Sequence, residues 1–226
     1  MAKRARKRSY EDEPTALPQF NPVSIEQEEA YDACCDNDIT FLTGPAGGGK
    51  TWVAVAYAID RLLNKEIDKI LLTRPAIEAC GESMGYGPGT FQQKLAPYTH
   101  PMRDVINEYG KRHLDFINSS LEMVPLAFMR GRTMKRTIAI VDEAQNASEK
   151  MLQMMLTRIG EGSQIILCGD PVQRDIRESV LESLAFELSD EVPGVGWVKF
   201  TQANGSARHP IIPKLNKVFL QRLERE

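Results

Sequence analysis

Several things are scarce in this chain, and each scarcity excludes a class of protein. Only four cysteines occur in 226 residues, Cys34, Cys35, Cys80 and Cys168. Neighbours such as Cys34 and Cys35 rarely bridge each other, and no pair has the C-x2-C spacing of a zinc site. The chain is therefore neither a disulfide-stapled scaffold nor a zinc module, and its cysteines read as reduced thiols of an intracellular protein. The three histidines, His100, His113 and His209, are scattered and suggest no metal cluster. No apolar run approaches the roughly 18 residues of a membrane-spanning helix, so no membrane partner is expected. An excess of one charge is missing too: 28 Lys and Arg face 31 Asp and Glu, a net −3. That balance argues against a protein coated in basic charge for passive nucleic-acid binding. The basic start, Met1-Ala-Lys-Arg-Ala-Arg-Lys-Arg8, has no apolar stretch behind it and is not a secretory signal.

What is present reads as a tail and one domain. Residues 1–20 form the tail: five Lys or Arg lie between Lys3 and Arg8, followed by Glu11-Asp12-Glu13, Pro14 and Pro18. Such a segment has little apolar surface to offset its ordering entropy. Without residues 1–13 the remainder is acidic, with 23 basic and 28 acidic residues. Residues 21–226 alternate apolar strands with helices. Strands are expected at Ile39–Leu42, Ile70–Thr73, Thr137–Val141, Gln164–Cys168 and Val198–Phe200. Ser24 followed by Gln27 resembles a capping box opening a helix through Cys35. Thr51–Leu63 is almost wholly apolar and predicts a buried helix, with further helices at Ser148–Ile159 and Ser179–Leu188. Strands separated by helices imply an α/β fold, a parallel sheet covered by helices on both faces. Pro75–Pro101 is rich in Gly and Pro and reads as a long ordered loop, the kind that usually carries function.

Three strand ends carry the chemistry. Gly44-Pro45-Ala46-Gly47-Gly48-Gly49-Lys50-Thr51 is the G-x4-G-K-[ST] phosphate loop, set between a strand and a helix as it must be. Glycines let successive backbone N–H groups point at phosphate oxygens, and the helix beginning at Lys50 adds the positive end of its dipole. Lys50 brings charge to the β- and γ-phosphates of a nucleotide, and the Thr51 hydroxyl is a ligand for Mg²⁺. The second strand end, Thr137-Ile-Ala-Ile-Val-Asp142-Glu143, puts two carboxylates at the mouth of the sheet. Asp142 is the expected Mg²⁺ ligand, and Glu143 the base that polarises the attacking water. A kinase excludes water and does not need that base, so Glu143 favours hydrolysis. The third, Gln164-Ile-Ile-Leu-Cys-Gly-Asp170-Pro-Val-Gln173, places Asp170 and Gln173 beside the γ-phosphate, Gln173 as its sensor.

These residues resemble the PhoH family, phosphate-starvation-inducible ATPases of bacteria and their phages. The likeness runs from about Gln27 to Ile212. It is carried by Asn37-Asp-Ile-Thr-Phe-Leu-Thr-Gly-Pro-Ala-Gly47, Leu72-Thr-Arg-Pro-Ala-Ile-Glu-Ala79 and Gly81-Glu-Ser-Met-Gly-Tyr86. Further matching stretches are Pro125-Leu-Ala-Phe-Met-Arg-Gly-Arg-Thr133, Val141-Asp-Glu-Ala-Gln-Asn146, Leu156-Thr-Arg-Ile-Gly160 and Arg208-His-Pro210. The family looks like the first motor domain of superfamily 1 helicases. That likeness implies a RecA-type sheet with the Asp170 strand between the phosphate-loop strand and the Asp142 strand. It also implies that Gln27 reads the adenine edge, and a cytoplasmic location in a bacterial cell or, for a phage member, its host. Gly48 departs from the family's usual Thr, and Ala207 from its usual Val.

Basic groups outside the phosphate site suggest single-stranded RNA or DNA as a partner. Thr73-Arg74-Pro75 follows the second strand, where helicase-type domains touch a strand's backbone. Arg130 and Arg132, with Phe128 nearby, combine guanidinium and aromatic groups as single-strand binding requires, and Tyr86 and Phe91 offer stacking surface. The length is too short for a second motor domain to close the cleft. The expectation is a homo-oligomeric ring, a hexamer, with Arg208 as the finger reaching phosphates of its own or a neighbouring subunit; Arg158 is a second candidate. Two other readings stand beside a helicase-like ATPase: a nucleotide-gated interaction module without nucleic-acid activity, and a kinase.

Overall fold

A computed structural model describes residues 19–75, 103–109, 111–176, 178–201, 209 and 211–223. Along the chain run α1 (Ile25–Asp36), β1 (Ile39–Thr43), α2 (Lys50–Leu63) and β2 (Lys69–Arg74). A helical segment over residues 103–109 (α3) follows. Then come α4 (Leu114–Ser119), β3 (Leu121–Pro125), β4 (Thr137–Val141), α5 (Glu149–Leu156), β5 (Gln164–Gly169), α6 (Leu181–Glu191), β6 (Val195–Lys199) and α7 (Ile212–Leu223). The strands form one sheet in the order β3-β2-β4-β5-β1-β6. Every pairing is parallel. As the resemblance implies, β5, which ends at Asp170, lies between the phosphate-loop strand β1 and the Asp142 strand β4.

Alternation along each strand divides the apolar residues into two cores. Leu42, Ile70, Leu72, Ile138, Ile140, Ile166 and Cys168 face α1 to α4. Their neighbours Phe41, Leu71, Ala139, Val141, Ile165 and Leu167 face α5 and α6. Successive strand side chains point to opposite faces, so uninterrupted apolar runs are what a sheet covered on both sides needs. Helix α2 buries nine of its fourteen residues, from Lys50 to Leu62, and is the central helix of its layer. Helix α1 is started by Ser24, whose Oγ accepts from the Gln27 N–H at 3.2 Å. Among the described residues, no helix is long and apolar enough to cross a membrane.

The differences from the sequence expectation are local. Strand β6 begins at Val195 rather than Val198. Strand β3 and helices α3, α4 and α7 are additions. All but the first residue of the Pro75–Pro101 loop, with Tyr86 and Phe91, lies outside the described residues, as does Arg208.

Candidate functional site

Strand β1 delivers the chain into the phosphate loop at its carboxyl end. Gly44 takes φ 127° and sits so close to Phe200 that a Cβ would lie 2.1 Å from the Phe200 carbonyl oxygen. A side chain is excluded there on both counts. Lys50 Nζ donates to the Gly44 and Pro45 carbonyls at 2.6 and 2.9 Å, folding its chain back across the loop. Burial pushes the Lys50 ammonium below its ordinary range, with Asp170 opposing. Helix α2 opens at Gly49 with no side-chain cap, so its first N–H groups are free of a competing internal acceptor.

The neighbouring strands supply the carboxylates. Asp142, at the end of β4, has Oδ1 accepting from the Thr51 hydroxyl at 2.8 Å. One hydroxyl and one buried carboxylate side by side form a hard-oxygen pair of the kind that holds Mg²⁺ together with phosphates and water. Such an ion needs no dense ligand cage, and among the described residues no three His, Cys, Asp or Glu are placed together so as to hold a metal ion. Burial pushes the Asp142 carboxyl up, and Arg74 beside it pulls the other way. Asp170, after β5, is structural in this geometry: its carboxylate accepts from the Ala46 and Val172 N–H groups, at 2.9 and 3.0 Å. It thereby ties the loop of one strand to the end of the next.

Glu143 takes left-handed backbone angles, φ 53° and ψ 37°, uncommon for a residue with a side chain. Its Oε1 accepts from Arg74 Nη2 at 2.7 Å and its Oε2 from Gln145 Nε2 at 2.6 Å. Arg74 Nη2 also lies 3.3 Å from Asp142 Oδ2. Arg74 therefore lies inside the nucleotide pocket, although its position in the sequence suggested a place outside it.

Gln145 is the residue that sequence reasoning left unassigned. It is fully buried, and it joins Glu143 to the third strand end: Nε2 donates to the Gln173 carbonyl at 2.9 Å, and Oε1 accepts from the Asp170 N–H at 3.1 Å. Next to it, Asn146 and Asp175 exchange two hydrogen bonds, at 2.7 and 3.2 Å. The signal for it lies in the Asp142–Asn146 run, where the family likeness assigns the two acids and leaves the amides without a role.

Ala46, Lys50, Thr51, Arg74, Asp142, Glu143 and Gln173 line one pocket of about 670 Å³. Its other end is made by Asn21, Val23, Gln27, Trp52, Asp104 and Glu108. The buried Gln27 amide donates to the Gly48 carbonyl and accepts from the Val23 N–H, each at 3.0 Å. Of its hydrogen-bonding capacity, one N–H and one acceptor site remain. Arg130 and Phe128 are exposed beyond β3, and Arg132 is half-buried there, bonded to Glu122 at 2.7 Å. Arg158 precedes β5 and so stands at the opposite edge of the sheet, about 20 Å of strand away from the phosphate loop.

Comparison with known proteins agrees with this construction. A family model described as PhoH-like protein matches residues 19–220. A PhoH-like protein of Bacillus subtilis (strain 168) is 38% identical over 218 residues, which are 93% of this chain and 68% of that protein. One from Synechocystis is 39% identical over 202 residues, 87% of this chain and 61% of that one. Protein PhoH of Escherichia coli (strain K12) is 38% identical over 169 residues, 72% of this chain and 48% of that one. The chain thus spans between about half and two thirds of the length of these relatives. Among solved structures, the large terminase of a thermophilic bacteriophage is similar, with a TM-score of 0.56 at 13% identity. The match covers 88% of this chain and 51% of that one, and it is a likeness of fold. By sequence over almost its whole length, and by a sheet and phosphate loop of the matching kind, the chain belongs to the PhoH-like protein family.

Proposed function

We propose that this domain binds ATP with Mg²⁺, hydrolyses it, and couples turnover to translocation along, or remodelling of, single-stranded RNA or DNA. The observation that carries the reading is the convergence of Lys50, Thr51, Asp142 and Glu143 on one pocket. The bacteriophage terminase of similar fold was solved in complex with ADP, which supports a nucleotide here.

In this reading the loop N–H groups and Lys50 hold the β- and γ-phosphates. Thr51 and Asp142 would hold Mg²⁺, which neutralises charge that builds on the phosphates. Gln27, with its remaining N–H and acceptor site, reads the adenine edge. Glu143 accepts a proton from the water whose oxygen attacks the γ-phosphorus, ADP leaves, and Gln173 senses the change. Arg74 closes β2 in register with Pro125 of β3, and Arg130 lies on the segment after β3, while Arg132 on that segment is paired with Glu122, three residues before the carboxyl end of β3. A backbone laid across the carboxyl ends of β2 and β3 would meet Arg74, and one that continued over the segment after β3 would meet Arg130 and Arg132.

Pocket-lining cations among the described residues are Lys50 and Arg74. On the family resemblance, the arginine that meets the transferring phosphate from outside is Arg208, acting within a homo-oligomeric ring, a hexamer.

The test is ATP turnover of the wild type and Glu143→Gln, each with and without single-stranded oligonucleotides. Glu143→Gln should bind ATP normally and turn over about 10²-fold more slowly, as loss of a general base implies. Oligonucleotide should stimulate the wild type. Undiminished turnover in the variant refutes the base assignment. A wild type indifferent to every strand favours the interaction-module reading.

A further inference from the structure

The guanidinium of Arg74 lies where two roles compete for it. It stands on the last residue of β2, in register with Pro125 of β3, at the carboxyl ends of the strands, where a strand's phosphates run in the reading above. Yet one of its nitrogens, Nη2, serves the base Glu143 at 2.7 Å and the metal-side carboxylate Asp142 at 3.3 Å. With Gln145 on Oε2, both oxygens of Glu143 accept from the protein. A general base must turn a lone pair to the attacking water; each oxygen keeps one, but the guanidinium on Oε1 and the amide on Oε2 hold the carboxylate in a single orientation. Nor is Glu143 at rest in an ordinary backbone well, since its left-handed φ costs about 1 kcal/mol or more and persists where surrounding contacts over-determine it.

From this geometry we infer that Arg74 is a brake on the catalytic base that single-stranded nucleic acid releases. Seated on Glu143 and Asp142, it keeps the base turned to the protein. A backbone phosphate arriving at the carboxyl ends of β2 and β3 offers the planar guanidinium two parallel hydrogen bonds and competes with the two carboxylates for it. Arg74 transfers to the phosphate, the Glu143 carboxylate is released to turn to the water, and hydrolysis follows. Arg74 is thus a positioning residue, acting on the reaction through Glu143. The inference rests on the nucleic-acid reading above for what releases the brake, but not for the brake itself.

Two measurements test it. In the first, turnover of Arg74→Gln is compared with the wild type without oligonucleotide, beside affinity for a fluorescent ATP analogue. At saturating nucleotide the variant should turn over about tenfold faster, the equivalent of one charge-assisted hydrogen bond, with no response to poly-uridine or oligo-thymidine. Arg74→Lys, which keeps the charge and loses the fork, should fall between. An equal or lower unstimulated rate in Arg74→Gln overturns the brake.

The second measurement is fluorescence anisotropy with labelled oligonucleotides and no nucleotide. Glu143→Gln should bind the strand several-fold more tightly than the wild type, because it weakens the pocket's hold on Arg74, and Arg74→Gln/Glu143→Gln should lose that gain. Equal affinities of Glu143→Gln and wild type overturn the proposal, even if Arg74→Gln fails to fold. If strands neither bind nor stimulate the wild type while Arg74→Gln is accelerated, the brake stands and the nucleic-acid reading fails. If the wild type and Arg74→Gln are stimulated alike, the reading stands and the brake fails.

Discussion

Gly48 shows how a single position can record the packing beneath a loop. A Cβ there would come within 2.9 Å of the Phe200 ring, and Phe200 is fully buried beside the phosphate loop. Its backbone does not need glycine's freedom, since no positive φ accompanies it. The space, rather than the conformation, excludes a side chain. Gly48→Thr, which introduces the residue usual in the family, should therefore cost about 1–3 kcal/mol by overpacking. Phe200→Leu should recover part of that loss when combined with it, although Phe200→Leu alone is destabilising. Urea unfolding of the two single variants and the double variant measures this coupling. Strict additivity would mean that the ring is not what Gly48 accommodates. The same contact explains how a sequence departure in the most recognisable motif leaves its chemistry intact: the loop keeps its N–H groups, and the neighbour fills the volume.

At the level of elements, legibility followed burial. Strands β1, β2, β4 and β5 lie inside the sheet and were readable as apolar runs, because both their faces are covered. The edges were harder. In β3, Leu121–Val124 are only half-buried, and Glu122 points into a pairing with Lys69 and Arg132, so no run announces it. Strand β6 contains Gly196, which reads as a turn. In the structure its missing side chain admits the Asn37 amide, which would lie 2.5 Å from a Cβ. The site was legible where backbone and charge define it, and illegible where one side chain bridges motifs, as Gln145 does. A second bridge of this kind holds the helical layer. Asp60 of α2 accepts from the Tyr31 hydroxyl of α1 at 2.7 Å and from the Tyr109 hydroxyl of α3 at 2.9 Å. Trp52 meets Phe20 and Tyr109 beside them. Burial pushes the Asp60 carboxyl up, and both hydroxyls pull it down. Asp60→Ala would strand two half-buried hydroxyls and should cost about 2 kcal/mol. Because Asp104 and Glu108 of α3 and Trp52 line the pocket, the KM for ATP should rise as well. Loss of stability with an unchanged KM would separate α3 from the nucleotide.

For the whole molecule, the near-balance of charge hides a division: a basic tail precedes an acidic domain, while Arg74 and Arg132 are occupied by carboxylates of the domain itself. The cations facing the pocket from this chain's described residues stand on the phosphate-loop and β2 sides. If the remaining wall comes from a neighbouring copy, each contact is head-to-tail, and such contacts close into a ring when the rotation allows. Light scattering with ATP and Mg²⁺ should then report about six times the monomer mass. Complementation distinguishes a shared site from mere association. Lys50→Ala cannot bind phosphate in its own loop but still presents Arg208, whereas Arg208→Ala has an intact loop and no finger. Each alone should be inactive. Mixed in equal amounts and allowed to exchange, roughly a quarter of sites would pair an intact loop with a neighbour's arginine, because in a head-to-tail ring every loop faces one neighbour. Turnover should rise accordingly. An inactive mixture, in rings that scattering shows to have exchanged subunits, would place Arg208 on its own subunit's phosphates and leave assembly without a catalytic share.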